Sequence, residues 1–178
     1  AEAQALRTEL QRLRLQLDPH FLFNALNGIG EEIPDHPDAA LAMLRDLAAF
    51  LRQSLTGMDV TVATVADEAA ALGAYLRIQQ ARFGARLKVR LLIEDSAAMR
   101  QIPSFLLQPL VENAIAHGRR EPCLDLSIAI RLEGNILRAE IENSGTLAPQ
   151  PAPRGRGIGL ANVRRRLALH YPGRHDFS

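Results

Sequence analysis

The N-terminal leucine pattern, and the point at which it stops, constrains the fold of this chain most strongly. Four leucines recur at alternating four- and three-residue steps, which predicts a coiled-coil seam: Leu6, Leu10, Leu13 and Leu17. Continuing that register would place three polar residues in the seam: His20, Asn24 and Asn27. The apolar stripe instead moves to a new set of positions: Phe21, Leu22, Leu26, Ile29 and Ile33. Pro19 lies at the shift and predicts a kink in the helix.

The kinked helix is expected to carry a histidine and two carboxamides on one face. His20, Asn24 and Asn27 are separated by four and three residues, which is the spacing of neighbours on a helix. A histidine on an exposed helical face, with hydrogen-bonding residues one turn away, is a reasonable nucleophile. The alternative is an ordinary surface histidine on a helical hairpin, and the helix alone favours that alternative.

A second helix is predicted after the turn formed by residues 34–37, and Pro37 is suited to its first position. Its apolar stripe consists of Leu41, Leu44, Ala48, Leu51 and Leu55. Two such helices joined by a tight turn form an antiparallel hairpin, which buries too little apolar surface alone. Hairpins from two chains would form a four-helix bundle, so we expect a homodimer. The alternative is that the hairpin packs within its own chain on the second domain.

The remainder of the chain mixes helices and strands. Gly57 to Asp59 marks a candidate hinge, and Thr64 and Asp67 have capping-box spacing at the start of a helix that Gly84 ends. The other predicted elements are strands at 60–65 and 87–93, a helix from Ile102 to His117, a hairpin of strands at 124–131 and 136–141, a loop at 146–156 and a helix at 160–170. The predicted fold class is α+β, with a helical hairpin at 1–58 and an α/β domain at 59–178.

Bulk composition excludes several classes of protein. The net charge of +1 gives no overall field for nucleic acid or membrane binding. The single cysteine, Cys123, excludes an internal disulfide framework. No apolar run reaches the ~20 residues of a membrane span, and no signal peptide is visible. Because the chain starts inside a helical pattern without a methionine, we expect it to be a fragment.

Two further motifs suggest a nucleotide site. Glu112-Asn113 interrupts an apolar helix, and adjacent oxygen ligands suit a magnesium-phosphate site. The alternative is a satisfied buried pair or a solvated turn. Gly155, Gly157 and Gly159 precede a helix, where backbone N–H groups and the helix N-terminus can bind phosphate. Alone this glycine pattern is weak, and the arginines that follow it are typical of a solvated face.

The stretch from Gln16 to Asn27 closely resembles the phosphoacceptor signature of LytS-type sensor histidine kinases, in which a proline precedes the histidine and Phe-Leu-Phe-Asn follows. The resemblance implies that His20 receives the γ-phosphoryl group of ATP. It also implies that Asn24 assists dephosphorylation. Asp18 is the nearest carboxylate and is the candidate for orienting the imidazole.

The other two motifs resemble the N-box and glycine box of the GHKL ATP-binding fold, an α/β sandwich. The resemblance implies ATP and Mg²⁺ as cofactors, with Asn113 as the metal ligand. It implies this set of nucleotide-binding residues: Glu112, Asn113, His117, Gly118, Asn143, Gly145, Gly155, Arg156, Gly157, Gly159, Leu160 and Asn162.

Three residues depart from the family pattern. Asn143 replaces the aspartate that accepts a hydrogen bond from adenine, Leu147 replaces a glycine, and Ala116 replaces a lysine found in many relatives. An asparagine oxygen accepts the same bond without charge, so weaker nucleotide binding is expected. The chain also ends before the final strands that relatives generally have.

The resemblance implies a sensor histidine kinase that phosphorylates itself on His20 and passes the phosphoryl group to an aspartate of a response regulator, often one with a LytTR-type DNA-binding domain. It further implies the cytoplasmic domain of a bacterial protein anchored in the inner membrane through an upstream region, without direct nucleic-acid binding. A GHKL ATPase is disfavoured because Pro109 stands where its general base would be. A dimeric module with degraded ATP binding, which relays conformation to a partner, is the second alternative.

Overall fold

The computed structural model describes residues 19–56, 62–118, 122–145 and 158–178. Its elements, in chain order, are α1 (Pro19–Glu32), α2 (Pro37–Thr56), β1 (Val62–Thr64), α3 (Val65–Phe83), β2 (Leu87–Ile93), α4 (Asp95–Ala98), β3 (Gln101–Pro103), α5 (Gln108–His117), β4 (Leu124–Glu133), β5 (Ile136–Asn143) and α6 (Ile158–His170). The α+β class is therefore confirmed. The predicted coiled-coil seam, the hinge at Gly57 to Asp59 and the loop at 146–156 lie outside the described residues.

The strands form two small sheets. β1 pairs antiparallel with β3, and the larger sheet has the order β2-β4-β5. β2 runs parallel to β4, with Leu87 opposite Leu124, while β4 and β5 form an antiparallel hairpin. Gly134 occupies the left-handed region at φ 62° in the hairpin turn, a conformation that glycine adopts without steric cost. The predicted hairpin is confirmed, and each of its strands extends two residues further than expected.

Helix α3 begins and ends where its sequence signals predict. The Thr64 hydroxyl accepts a hydrogen bond from the Asp67 N–H at 3.1 Å, and the Asp67 carboxylate accepts one from the Thr64 N–H at 3.2 Å. This reciprocal pair is a capping box, so aspartate serves in place of the preferred glutamate. Gly84 follows the last turn at φ 55°. The sequence predicts both ends of α3 correctly because these capping signals act within one turn of the helix.

The predicted start of the helix at Ile102 is wrong. Residues 101–103 form strand β3, in which Ile102 pairs with Ala63 and Pro103 with Val62. Pro103 lacks an N–H group and ends the strand, where a missing donor is tolerated. Helix α5 begins only at Gln108, with Pro109 in its first turn. Pairing with a distant strand therefore outweighs the local helical pattern at this position.

The hairpin of α1 and α2 packs against α3 through a three-ring aromatic cluster. Phe21, Phe50 and Tyr75 are all buried, with ring centroids 4.9 to 5.9 Å apart. Arg77 makes a bidentate ion pair with Asp46, in which Nε donates to Oδ2 at 2.9 Å and Nη2 donates to Oδ1 at 2.6 Å. The pair is partly exposed and contributes at most ~1 kcal/mol, so burial of the rings dominates. The described hairpin thus does pack within its own chain, on a helix of the predicted second domain.

The predicted apolar stripe of α2 is not its buried face. The residues that α2 buries are Ala40, Met43, Leu47 and Phe50. The predicted stripe is largely exposed at Leu41, Leu44 and Ala48. On α1 the buried residues are Phe21, Ala25 and Ile29, while Leu26 and Ile33 from the predicted stripe are exposed. Both helices are apolar on two faces, and only one face of each is covered within the chain.

Gly118 follows α5 in a crowded position between that helix and β4. A Cβ atom there would collide with the Leu124 side chain and lie 2.7 Å from the Ala114 carbonyl oxygen. Because one of these neighbours is backbone, the site cannot relax by a rotamer change alone. Close packing therefore explains why glycine is needed at position 118, independently of any ligand.

None of the helices within the described ranges is long and apolar enough to cross a membrane.

Replacing Phe50 by alanine should lower the free energy of unfolding by about 3 to 5 kcal/mol, because the ring is almost fully buried between α1 and α3. Chemical denaturation followed by circular dichroism measures this change. The control is Met99→Ala, whose side chain is mostly exposed and whose loss should cost less than ~0.5 kcal/mol. Equal stability of the two variants would contradict the packing of the hairpin on α3.

Replacing Gly118 by alanine should destabilise the chain by about 1 to 3 kcal/mol, because the added methyl group overpacks the junction of α5 and β4. Gly73→Ala is the matched control, since its Cβ would meet only the end of the Arg77 side chain at 3.4 Å. Alanine favours a helix interior over glycine, so the control should be neutral or slightly stabilising. Thermal melts of both variants decide the matter, and a stable Gly118→Ala variant would refute the crowding.

Candidate active site

Helix α1 carries the candidate phosphoacceptor in the first described turn. His20 lies next to Phe21, which is fixed in the aromatic cluster, so the backbone at this position is anchored. Asn24 is half-buried and Asn27 is exposed, one and two turns further on. Asp18, the candidate orienting carboxylate, lies outside the described residues. The anchoring of α1 on α3 thus fixes the turn that carries His20.

A polar cleft of about 260 Å³ lies between α1, α2 and the C-terminal end of α3. The residues that give it its polar character are Asn24, Asn27, Glu31, Glu32 and Arg82. Both carboxamides predicted on the face of His20 therefore line the same cleft.

Helix α5 presents the predicted metal ligand from a well-packed frame. Val111, Ala114 and Ile115 are buried at the spacing of a single helix face. Asn113 is half-buried beside that face. Its carboxamide oxygen is the donor type that Mg²⁺ prefers. The donor chemistry of Asn113 thus fits a magnesium ion.

Glu112 and His117 occupy different environments on the same helix. Glu112 is half-buried, and its Oε1 accepts a hydrogen bond from Gln108 Nε2 at 2.7 Å, one turn earlier. His117 is exposed in the last turn. Within the described residues, no group of three or more His, Cys, Asp or Glu side chains could hold a metal ion.

Asn143 connects the end of β5 to α5. Its Nδ2 donates a hydrogen bond to the Ala114 carbonyl at 2.9 Å. Because a carbonyl can only accept, this bond fixes the orientation of the amide and directs Oδ1 elsewhere as an acceptor. The N–H of the next residue, Ser144, donates a hydrogen bond to the Asp125 carbonyl, and the Ser144 hydroxyl oxygen accepts one from the Asp125 N–H, both at 2.8 Å. These two bonds anchor the chain just before Gly145. An oriented acceptor at position 143 fits the adenine amino group.

The first turns of α5 and α6 lie against each other. A Cβ built on Gly159 would be 3.5 Å from Pro109 Cβ, and Val163, one turn further on, is fully buried. Gly159, Leu160 and Asn162 of the predicted set are on α6, whereas Gly155, Arg156 and Gly157 lie outside the described residues. The N-terminus of α6 is a region of positive potential, which favours an anion. The structure therefore brings the N-box helix and the described part of the glycine box together.

Glu68 and Arg166 belong to this region but were not among the predicted site residues. The Glu68 carboxylate is buried, and accepts hydrogen bonds from the N–H groups of Phe105 at 2.7 Å and Leu107 at 3.4 Å. Burial raises the pKa of Glu68 above its ordinary value, while these bonds and the positive Arg166 oppose the shift. Arg166 Nη1 donates to the Ser104 carbonyl.

The sequence does contain a signal for Glu68. It lies three residues after Val65 and four before Leu72, so it occupies a position on the apolar face of α3. A carboxylate at such a position needs buried hydrogen-bond donors. Here the donors are backbone groups 37 and 39 residues away, which no local pattern identifies.

Comparisons with known proteins agree with this arrangement of motifs. The sequence profile of the family described as histidine kinase matches residues 8–87. The chain is 40% identical over 169 residues to sensor histidine kinase BtsS of Escherichia coli strain K12, covering 93% of this chain and 30% of that protein. It is 36% identical over 178 residues to sensor histidine kinase YpdA of the same strain, covering 94% and 31%.

A third relative is sensor protein LytS of Enterococcus faecalis. It is 30% identical over 176 residues, covering 92% of this chain and 30% of that protein. The chain thus spans somewhat less than a third of the length of the curated relatives it matches. By its phosphoacceptor motif, its paired nucleotide motifs and these relatives, the chain belongs to the LytS-type sensor histidine kinases.

Proposed function

We propose that this chain is the kinase core of a two-component sensor, which phosphorylates itself on His20 and passes the phosphoryl group to an aspartate of a response regulator. The observation that carries the proposal is the meeting of α5 and α6 beside the end of β5. There Gly159 lies against Pro109, and Asn143 is bonded to Ala114. The three motifs are distant in sequence but adjacent in the fold, and their polar groups are of the types that adenine, Mg²⁺ and phosphate require.

Each part of the nucleotide has a partner in this proposal. Asn143 Oδ1 would accept the hydrogen bond of the adenine amino group, and Asn113 would contribute an oxygen to Mg²⁺. The backbone N–H groups of Gly155, Gly157 and Gly159, with Arg156 and the N-terminus of α6, would bind the phosphates. The remaining walls would come from Glu112, His117, Gly118, Gly145, Leu160 and Asn162.

The transfer step depends on positioning and on neutralising charge. A neutral ring nitrogen of His20 attacks the γ-phosphorus, the bond from that phosphorus to the β,γ-bridging oxygen breaks, and ADP leaves. The imidazole of the phosphohistidine then loses its extra proton to solvent. Bound Mg²⁺ would neutralise phosphate charge, and Asp18 would orient the imidazole. Asn24 would position the water that later hydrolyses the phosphohistidine.

The finer fold assignment is also a proposal: a dimeric four-helix bundle followed by a GHKL sandwich. The hairpin supports it, because its second apolar face is exposed within one chain. That face consists of Phe23, Leu26, Ile33, Leu41 and Leu44, each at least 44% exposed. A second copy of the hairpin covers such a face in a four-helix bundle.

By the same family resemblance, we propose that the phosphoryl acceptor is a response regulator with a LytTR-type DNA-binding domain. We also propose that the whole protein carries a membrane anchor upstream of a cytoplasmic kinase core.

Label from γ-labelled ATP and Mg²⁺ should appear on the full-length protein and be lost in its His20→Gln variant, because glutamine has no imidazole nucleophile. The label should be acid-labile and base-stable, as expected for a phosphohistidine. His36→Gln is the matched control, since His36 is an exposed histidine in the turn after α1 and should be dispensable. Nucleotide binding without label on the unchanged protein would favour the alternative of a relay module, which the departures at Asn143, Leu147 and Ala116 support.

Placing a charge on the exposed hairpin face should convert the dimer to a monomer. Leu44→Glu would bury a carboxylate in the bundle, and an unpaired buried charge costs several kcal/mol. Sedimentation velocity of the unchanged chain and this variant measures the association. Leu169→Glu, on the exposed side of α6, is the control and should leave the mass unchanged. A monomeric unchanged chain, or a dimer in both variants, would count against the bundle.

A further inference from the structure

We propose that Glu68 is a positioning residue for the nucleotide site, which holds the turn at residues 104–107 and thereby sets the N-terminal end of α5. The proposal rests on the proposed function, because it concerns how Asn113 is placed for Mg²⁺ and ATP. Glu68 itself lies on α3 and is only 8% exposed. Both of its carboxylate oxygens accept backbone N–H groups of this turn.

The turn that Glu68 holds is conformationally demanding. Phe105 has φ 57°, in the left-handed region that side chains other than glycine rarely adopt. Such a conformation is unfavourable and persists where the surroundings stabilise it. The 2.7 Å bond from the Phe105 N–H to Glu68 is the shortest that the turn makes to α3. Glu68 therefore stabilises the residue whose backbone is most strained.

Helix α5 lacks N-terminal stabilisation of its own. Its N-cap residue is Leu107, whose side chain makes no capping bond, and no acidic residue lies in its first turn. A carboxylate near a helix N-terminus satisfies N–H groups and interacts favourably with the helix dipole. Glu68 supplies that carboxylate from another helix, through the Leu107 N–H. Because the capping carboxylate comes from α3, the position of α5 depends on that of α3.

The same turn is held from α6 as well. Arg166 bonds the Ser104 carbonyl, and its positive charge interacts favourably with Glu68. The turn is thus fastened on one side to α3 and on the other to the helix that follows the glycine box. This double attachment fixes the start of α5 relative to α6, whose first turns meet at Pro109 and Gly159.

A purely structural role in capping α3 does not account for Glu68. The N-terminus of α3 is already capped by the reciprocal bonds of Thr64 and Asp67. For stability alone, a well-packed apolar side chain of similar volume is often as good as a buried carboxylate or better. The contacts of Glu68 instead go to the turn before α5.

The test compares Glu68→Ala, Glu68→Gln and Asp67→Ala in the full-length protein, with a fluorescent non-hydrolysable ATP analogue as the probe. Asp67→Ala is the matched control, because Asp67 exchanges hydrogen bonds with Thr64 and so caps the N-terminus of the same helix. Affinity is measured with Mg²⁺ and with EDTA. Circular dichroism checks that each variant is folded.

Glu68→Ala should weaken magnesium-dependent binding about tenfold, which corresponds to ~1.4 kcal/mol. Glu68→Gln should fall between this variant and the unchanged protein, because its amide oxygen can still accept from the Phe105 N–H. Asp67→Ala should bind like the unchanged protein, within about twofold, despite its lower stability. The EDTA measurement should show a smaller difference among the variants, since it removes the ion that Asn113 would hold.

Unchanged affinity in both Glu68 variants would overturn the positioning role while leaving the proposed function intact. An equal loss in Asp67→Ala would also overturn it, because the effect would then follow stability alone. If Glu68→Ala does not fold, Glu68→Gln alone decides by the same measure. Failure of the unchanged protein to bind the analogue would instead refute the nucleotide site itself, and the positioning role with it.

Discussion

The burial of helix α3 on more than one side is the constraint on which the rest of the structure depends. Three consecutive residues, Ala74, Tyr75 and Leu76, are buried, which an amphipathic surface helix cannot achieve. Tyr75 packs in the aromatic cluster with the hairpin, while Glu68 bonds the turn before α5. One helix therefore contacts both the segment that carries His20 and the segment that carries Asn113. A displacement of α3 would affect both at once.

The hairpin has two apolar faces, and this explains how one segment can serve two packing partners. Phe50 and its neighbours on α2 are covered by α1 and α3 within the chain. Leu41 and Leu44 remain exposed. Contacts within the chain and the proposed homodimer would thus use different surfaces and would not compete.

Much of the fold could be predicted from local signals, because caps, turns and strand alternation act over a few residues. The capping box at Thr64, the end of α3 at Gly84 and the strand at 87–93 are examples. The predicted start of α5 was wrong because Ile102 pairs with Ala63, a partner far away in sequence. The predicted buried face of α2 was wrong because a helix with two apolar faces has no unique apolar stripe. Among the predicted site residues, those of α5, β5 and α6 are neighbours, whereas Glu68 needed the structure because its donors are backbone groups.

In the proposed nucleotide site, the Ala114 carbonyl accepts a hydrogen bond from Asn143 and so orients its amide, which leaves an uncharged acceptor where the family resemblance implies a carboxylate. Binding should be weaker than with aspartate but not abolished. Whether that suffices for catalysis is tested most directly by mapping the phosphorylated residue, with tandem mass spectrometry at alkaline pH, after incubation with Mg²⁺ and ATP. The proposed mechanism predicts phosphohistidine at His20. A protein that binds ATP but carries no phosphohistidine, or carries it only at another histidine such as His36 or His117, would contradict it.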